Sequence, residues 1–402
     1  MGCRTVNNFG SELKHRLDAI REQKLFRELR RVDSAQGPRI EIGGRTFLNF
    51  SSNDYLGLAN HPVLKEAAIK AIEKFGAGSG ASRLICGSLA PFHELEEALA
   101  DFKHTEAALT FSTGYATAIG TICALLGKSD VIILDKLVHA SIVDAAKLCG
   151  AKLRVFFHND PEDLEDKLKW ATDESRQPPP ATRHTLIVTE SIFSMDGDAA
   201  PLRDIVMLKE KYGAWLMVDE AHATGIIGKD GRGLADELGV GGQIEIQMGT
   251  LGKALGASGG YICGSRALID YLVNRSRSFI FSTAPVPAAA AAATAAIQLM
   301  QSSEGESRRK NLRAQVGELQ SQTINRQSQI PAAIIPIILG GENEASEASA
   351  KLRGRGVFVP AIRYPAVARG AARLRVTLTA AHAAEDISRL AGALDEVANH
   401  KS

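Results

Sequence analysis

Four residues with reactive or polar side chains follow two short apolar runs near the middle of the sequence. The first run ends on Asp219, and His222 comes three residues later. The second run is followed by Thr250 and then by Lys253. Short apolar runs of this kind are typical of buried strands in a parallel sheet. Because ligands of such sheets bind beyond the carboxyl ends of the strands, we expect the four side chains to face one site.

Together, these four side chains match the needs of one cofactor, pyridoxal phosphate (PLP). PLP requires an amine for its aldehyde, an anion that keeps its ring nitrogen protonated, and donors for its phenolate and phosphate. Lys253 would supply the amine, Asp219 the anion, His222 a hydrogen bond to the ring oxygen, and Thr250 a contact to the phosphate. Each residue alone is more often a solvated loop residue, so the combination at two strand ends carries the hypothesis.

A third apolar run leads into a helix start that could bind the phosphate. Residues 107–111 form the run, and Gly114 and Tyr115 open a predicted helix that ends near residue 126. The first N–H groups of a helix have no partner within the helix and point at its positive end, where anions bind. The amides of Gly114 and Tyr115 are therefore predicted to hold the phosphate. An ordinary strand–turn–helix connection is the alternative interpretation.

The motifs around these residues resemble those of the α-oxoamine synthases, which are PLP-dependent enzymes of fold type I. The matching segments are residues 218–225, 231–234, 249–256 and 259–260, within a resemblance that extends from about Leu17 to the last helix. The resemblance implies an α/β fold-type I transferase, with a large, mostly parallel sheet between helices and a smaller C-terminal α+β domain. The expected divisions are a helical arm and hairpin (1–50), a PLP-binding domain (51–285) and the small domain (286–402).

The same resemblance implies roles for further residues. His139 matches a histidine that stacks on the pyridine ring, and Ser194 matches a serine that hydrogen-bonds the cofactor. Arg27 falls where an arginine contacts the acyl substrate. Asn53 and Arg375 fall where the carboxylate of the amino acid is bound.

Two hydroxyl residues imply a homodimer with shared active sites. Ser282 and Thr283 match a position from which the neighbouring subunit contacts the PLP phosphate. Lys253, His139 and Asp219 would be the catalytic residues of each site. One departure from the family concerns Ala366, which stands where a threonine is usual and which bears on the acyl-chain preference rather than on the PLP chemistry.

The activity that the resemblance implies is the decarboxylative condensation of L-alanine with pimeloyl-CoA, or with the pimeloyl-carrier protein, in biotin biosynthesis. Three alternatives remain open at this stage. The first is a family member that uses glycine, of the glycine C-acetyltransferase or 5-aminolevulinate synthase type. The second is an ordinary aminotransferase, and the third is a PLP-binding homologue without catalytic activity.

Composition and charge indicate which kinds of binding partner and which cellular compartment to expect. The chain has 402 residues, of which 45% are hydrophobic, so it can bury large cores. Its net charge of +1 gives no overall electrostatic field that would attract nucleic acid or anionic membranes. The five cysteines have no metal-type spacing, which predicts no metal site and free thiols in a reducing compartment. No secretory leader or membrane-length apolar run is visible, and we expect a cytoplasmic protein.

The remaining patterns predict the elements that flank the site. Apolar residues recur at helical spacing over residues 11–31, which predicts a helix. Residues 40–50 predict a hairpin around Gly43 and Gly44, and the prolines at 178–180 predict a turn. Arg375 is expected on the third strand of a short C-terminal sheet, where an arginine can also be a solvated edge residue. The C-terminal strands are predicted at 333–339, 357–360 and 374–379, and the helices at 306–325, 344–353 and 384–399.

Overall fold

The computed structural model describes residues 8–173, 183–322 and 332–399. Within these residues the strands are β1 (Arg39–Ile42), β2 (Arg45–Asn49), β3 (Ala107–Phe111), β4 (Val131–Asp135), β5 (Lys152–Phe156), β6 (Thr185–Glu190), β7 (Trp215–Asp219), β8 (Ile246–Thr250), β9 (Gly260–Gly264), β10 (Ile334–Gly340), β11 (Val357–Phe358), β12 (Ala361–Ile362) and β13 (Ala372–Thr377).

The helices of the described residues surround these strands. In chain order they are α1 (Phe9–Glu22), α2 (Pro62–Phe75), α3 (Ala90–Lys103), α4 (Gly114–Leu125), α5 (Ala140–Cys149), α6 (Pro161–Thr172), α7 (Leu202–Tyr212), α8 (Leu234–Glu237), α9 (Arg266–Arg275), α10 (Arg277–Ile280), α11 (Pro287–Met300), α12 (Ser303–Gln322), α13 (Glu342–Gly354) and α14 (Ala384–Asn399). None of them is long and apolar enough to cross a membrane.

The main sheet has seven strands in the order β3-β9-β8-β7-β6-β4-β5. Its strands are parallel except β9, which runs antiparallel to both β3 and β8. Alternate residues of β7 pack on opposite faces, with Leu216 and Val218 in one apolar cluster and Met217 in another. Such two-sided burial explains the continuous apolar runs of the sequence, since helices cover both faces. The expected fold class is confirmed.

The N-terminal hairpin packs on the C-terminal part of the chain. Strands β1 and β2 pair as predicted around Gly43 and Gly44, and β11 joins them in a three-stranded sheet. The Phe50 ring stacks on His382 with centroids 4.3 Å apart. Arg39 pairs with the buried Asp386 at 2.7 Å. The domain divisions at residues 50 and 285 stay predictions, although these contacts join the hairpin to the smaller unit.

The N-terminal helix is shorter than its spacing predicts. Helix α1 ends at Glu22 rather than at residue 31. Lys24 adopts a left-handed conformation with φ of 57°, and the Leu25 amide donates to the Ile20 carbonyl, so the chain closes with a C-terminal capping turn. Such a turn satisfies the last carbonyls and directs the following residues away from the helix axis.

The C-terminal sheet also differs from the expectation. The predicted strand at 357–360 does not join it, because β11 pairs with β2, and the short β12 provides the third strand instead. The order β10-β13-β12 places Arg375 on the central strand, where it is buried, and not on a solvated edge. Helix α12 begins at Ser303, while the predicted helix end at 325 and the turn at 178–180 lie outside the described residues.

Candidate active site

Three neighbouring strands of the main sheet deliver polar side chains to one edge. Strands β6, β7 and β8 end at Glu190, Asp219 and Thr250, and Glu190 lies directly opposite Asp219 in the register. Both acids are almost completely buried, with 2% and 5% of their surface exposed. Lys253 follows Thr250 in a turn closed by a hydrogen bond to its carbonyl from the Gly256 amide. The prediction of a buried acid at the end of an apolar strand is confirmed for Asp219.

A chain of hydrogen bonds runs from Lys253 towards the N-terminal part of the sequence. The Nζ atom of Lys253 lies 2.8 Å from Nε2 of His222. On the other side of the ring, Nδ1 of His222 lies 2.6 Å from the Tyr55 hydroxyl, which is 3.2 Å from Oδ1 of Asn53. His222 and Tyr55 are both buried, so the hydrogen bond between them is shielded from water.

Arg375 determines which groups donate and which accept in this series of hydrogen bonds. Its Nη1 donates to Oδ1 of Asn53 at 3.1 Å, and its Nη2 lies 3.5 Å from the Tyr55 oxygen. Since a guanidinium only donates, Asn53 must present its oxygen, and the Tyr55 hydroxyl donates to that same oxygen. His222 then carries its proton on Nδ1 and donates to Tyr55. Its Nε2 remains free to accept a proton from Lys253.

Burial determines the protonation of the central groups. Burial lowers the pKa of Lys253, while the charges of Asp219 and Glu190 oppose this effect. Burial also holds the pKa of His222 well below its usual value, so the ring is neutral, as the hydrogen-bond directions require. Burial raises the pKa of Asp219, and the Lys253 charge counteracts it. A ligand that brings a positive charge to Asp219 would relieve the cost of this buried acid.

Glu190 is a site residue that the sequence analysis did not single out. Its Oε2 accepts a hydrogen bond from the Ser194 amide at 3.2 Å, and within the described part of the chain its Oε1 has no partner. Burial and the charge of Asp219 raise its pKa to about 8. Glu190 is therefore mainly neutral at pH 7. The available signal was its position at the end of an apolar run, which it shares with Asp219.

The N-terminus of α4 and the end of β8 meet at one point. Thr113 caps the helix by accepting from the Ala116 amide, and the first amides of α4, those of Gly114 and Tyr115, have no acceptor within the helix. A Cβ atom on Gly114 would lie 3.9 Å from Oγ1 of Thr250. The predicted donors for a phosphate are therefore adjacent. In this structure the Thr250 hydroxyl donates to the Gly259 carbonyl at 2.9 Å.

Two further predicted residues lie at the margin of this cluster. The carbonyl of Ser194 accepts a hydrogen bond from Nε of Arg375 at 2.6 Å, which brings Ser194 to the site. His139 caps α5, and its Nδ1 lies 2.8 Å from Oγ of Ser141. Partial burial lowers the pKa of His139, and the charge of Asp219 acts against this. The residue as a whole is exposed, so the burial that lowers this pKa concerns only part of the side chain.

Among the residues that the structure describes, three predicted site residues have no hydrogen bond to the Lys253 cluster of the same chain. Arg27 is on the extended segment after α1, and its Nη2 lies 3.5 Å from the Tyr364 carbonyl. Thr283 is exposed and forms an isolated antiparallel bridge with Ser82. The Ser282 hydroxyl donates to the Thr283 carbonyl. Their roles at the site stay predictions.

The residues present fit PLP by the chemistry of their donor set. The amine of the half-buried Lys253, the buried acid of Asp219 and the helix amides beside Thr250 that have no acceptor within their helix correspond to the aldehyde, the ring nitrogen and the phosphate. Within the described residues, no group of histidine, cysteine and acidic side chains could hold a metal ion.

Comparisons with known proteins agree with this chemistry. The family model "Aminotransferase class I and II" matches residues 45–394. The 8-amino-7-oxononanoate synthase of Geotalea daltonii is 46% identical over 98% of each chain. That of Anaeromyxobacter sp. is 49% identical over 95% of this chain and 94% of its own length.

Solved structures show the same fold. A serine palmitoyltransferase from S. paucimobilis with bound PLP superposes with a TM-score of 0.88 at 29% identity, covering 98% of this chain and 99% of its own. An 8-amino-7-oxononanoate synthase from Francisella tularensis gives 0.73 at 27% identity, covering 88% and 97%.

The chain therefore belongs to the aminotransferase class I and II family and uses PLP as its cofactor. Among the members of that family, its curated relatives of 43–49% identity are 8-amino-7-oxononanoate synthases, and the chain is, like them, a PLP-dependent acyltransferase. The predicted family, fold and cofactor are thus confirmed. An ordinary aminotransferase is not favoured.

Substituting Glu190 with glutamine should remove a pH dependence from the stability of the cofactor-free protein. The folded pKa is raised from 4.5 to about 8, so the folded protein keeps this proton where the unfolded chain releases it. Wild-type stability should therefore fall between pH 5 and pH 8, by up to about 1.4 kcal/mol per pH unit. In Glu190→Gln the fall should be smaller.

Urea unfolding of both proteins across this pH range measures the difference. The exposed Glu94→Gln variant serves as the control for loss of a carboxylate elsewhere. Equal pH slopes for wild type and Glu190→Gln would contradict the raised pKa.

Proposed function

We propose that the protein condenses L-alanine with pimeloyl-CoA, or with the pimeloyl-carrier protein, to give 8-amino-7-oxononanoate, carbon dioxide and free CoA or carrier protein in biotin biosynthesis. The observation that carries the proposal is the buried network that joins Lys253 to Arg375 through His222 and Tyr55. It places an amine at one end and a guanidinium at the other, which suits an α-amino acid. The relatives named 8-amino-7-oxononanoate synthase support the choice of substrates and product.

Arg375 binds the carboxylate of the amino acid in this proposal. A guanidinium has five N–H groups, and the contacts to Ser194, Asn53 and Tyr55 account for three of them. Two N–H groups therefore remain for an anionic ligand, the number that a bidentate carboxylate requires. Asn53 fixes the guanidinium plane and so helps to set which bond of the substrate Cα is broken.

Lys253 moves the proton of the substrate Cα. Its pKa is lowered by burial, so a larger fraction of its amine is neutral and can accept a proton at working pH. His222, held neutral by burial, accepts a hydrogen bond from the amine and orients it. Asp219 keeps the cofactor ring nitrogen protonated. PLP, when bound, supplies the electron sink for loss of the Cα proton and of the carboxyl group.

The other predicted residues hold the cofactor and the acyl substrate. His139 covers one face of the ring, Ser194 adds a hydrogen bond, and the phosphate is bound by Gly114, Tyr115 and Thr250. Arg27 would bind the acyl substrate from the extended segment that contacts Tyr364. Ala366 follows Tyr364 closely in the sequence, so in this proposal the missing threonine hydroxyl would lie on the acyl side of the site. Loss of this hydroxyl would then affect the preference for the acyl chain and not the PLP chemistry.

A homodimer completes each site in this proposal. The surface near Thr283 carries large exposed apolar side chains, with Leu84 48%, Ile85 80% and Phe281 71% exposed. Exposed apolar residues that lie close together are typical of subunit interfaces. A second copy seated on this surface would bring its Ser282 and Thr283 to the phosphate of the first. We place the dimer in the cytoplasm.

The purified, PLP-loaded protein should convert L-alanine and pimeloyl-CoA to 8-amino-7-oxononanoate. Glycine in place of L-alanine should give little product. Mass spectrometry of the reaction mixture identifies the product directly. The Lys253→Ala variant, which keeps the fold but lacks the amine, should form none, and borohydride should no longer fix the cofactor to the chain. Preferential use of glycine would overturn the assigned amino acid, and fixation in Lys253→Ala would overturn the role of Lys253.

Mixing two inactive variants should restore activity if the sites are shared. One chain carries Lys253→Ala, and the other carries alanine at Ser282 and Thr283. Random exchange of subunits leaves one intact site in each mixed dimer, which recovers up to about a quarter of wild-type activity. Each variant must be folded and nearly inactive alone. Native mass spectrometry verifies the exchange, and verified mixed dimers without activity would show that each site is built within one chain.

A further inference from the structure

A histidine outside the catalytic cluster has a carboxylate at each ring nitrogen. Nδ1 of His158 lies 3.0 Å from Oδ1 of Asp135, and Nε2 lies 2.7 Å from Oδ2 of Asp198. Ionised carboxylates only accept hydrogen bonds, so both ring nitrogens must carry protons and the ring is an imidazolium. Burial lowers the pKa of His158, but the bonds to the two acids outweigh it and raise the pKa to about 10.

The two carboxylates belong to different segments beside the active site. Asp135 ends β4, and its Oδ1 also accepts a hydrogen bond from the amide of Leu137, which lies between β4 and His139 in the sequence. Asp198 closes a turn, residues 193–198, in which the Phe193 amide donates to the Asp198 carbonyl at 3.0 Å. We call this segment the Ser194 turn. The imidazolium therefore ties the Ser194 turn to the end of β4.

The ring of His158 also packs against the base of the Ser194 turn. It meets the buried Phe193 ring edge to face, with centroids 4.4 Å apart. The next residue, Asn159, repeats the connection, since its Nδ2 donates to Oδ2 of Asp198 and its amide to Oδ2 of Asp135. Two consecutive residues thus hold the same two acids.

The far side of the Ser194 turn holds the substrate-binding arginine. The Ser194 carbonyl accepts from Nε of Arg375 at 2.6 Å. Its neighbour Arg373 donates to the Met195 carbonyl at 3.1 Å and pairs with Asp196 at 2.6 Å. The orientation of Arg375 therefore depends on the place of this turn, and His158 fixes the turn from the opposite side.

We propose that His158 is a positioning residue for the amino-acid substrate. Its imidazolium, held between Asp135 and Asp198, keeps the Ser194 turn in place so that Arg375 presents its two remaining N–H groups to the substrate carboxylate. The inference rests on the proposed function for the identity of that carboxylate. His158 acts only through the turn and contacts neither substrate nor cofactor.

The test compares L-alanine binding with acyl-donor use in the PLP-loaded His158→Gln protein. Glutamine carries no charge and can donate to only one of the two acids. The side chain at position 158 therefore loses its hydrogen bond to either Asp135 or Asp198. The dissociation constant of L-alanine, measured from the change in cofactor absorbance, should rise by about tenfold, which is of the order of one lost hydrogen bond. The KM for pimeloyl-CoA should change by less than about twofold, because Arg27 lies on a different segment.

Two further variants separate positioning from general stability. Asp198→Asn keeps the shape and an oxygen acceptor but removes a charge, so it should weaken L-alanine binding in the same direction. His61→Gln removes a histidine whose Nε2 pairs with Glu304 at 3.1 Å rather than with a residue of the Ser194 turn. This control can lower the melting temperature, but it should leave the L-alanine dissociation constant unchanged.

The outcomes distinguish this inference from the proposed function. If the wild-type protein shows no saturable binding of L-alanine, the proposed substrate is wrong. If the wild type binds L-alanine and folded His158→Gln and Asp198→Asn bind it as tightly, the positioning role is overturned. Equal rises for both substrates would also overturn it, since they would reflect general loosening. Should His158→Gln fail to fold, Asp198→Asn decides by the same criteria.

Discussion

The burial of opposite charges at adjoining strand ends is the constraint on which the rest of the site depends. Asp219 and Glu190 end neighbouring strands in register, and the chain returns Lys253 to the same place. A buried acid beside a second acid is costly, so one of the two remains protonated and the other needs a positive partner. Lys253 supplies part of that charge. In the function that we propose, the protonated ring of bound PLP would supply the rest.

The part of the site around Arg375 is built from distant parts of the chain. Tyr55 and Asn53 follow the N-terminal hairpin, Arg375 comes from the central strand of the C-terminal sheet, and Ser194 lies in the turn that follows β6 of the large sheet. The pairing of β11 with the hairpin and the stacking of Phe50 on His382 join the first two of these parts. The residues proposed to bind the amino acid and those proposed for the chemistry therefore come from different parts of the chain, and the packing of these parts decides the geometry.

Much of this arrangement could be predicted from the sequence. The apolar runs before Asp219 and Thr250 predicted buried strands and one shared edge, because strand direction fixes where their ends lie. Glu190 was missed, since its importance follows from the sheet order, which places its strand beside that of Asp219. The central position of Arg375 was missed for a similar reason. Pairing between distant strands is a tertiary choice that local patterns do not encode.

Exchange of the Cα proton of L-alanine with deuterated solvent, followed by NMR, tests the role of the buried Asp219 most directly. The PLP-loaded wild-type protein should catalyse exchange without an acyl donor. Asp219→Asn keeps the shape of the side chain but removes the anion, so exchange should slow by about a hundredfold or more. Near-wild-type exchange in a folded, PLP-loaded Asp219→Asn protein would contradict the account, because the ring nitrogen would then need no buried acid.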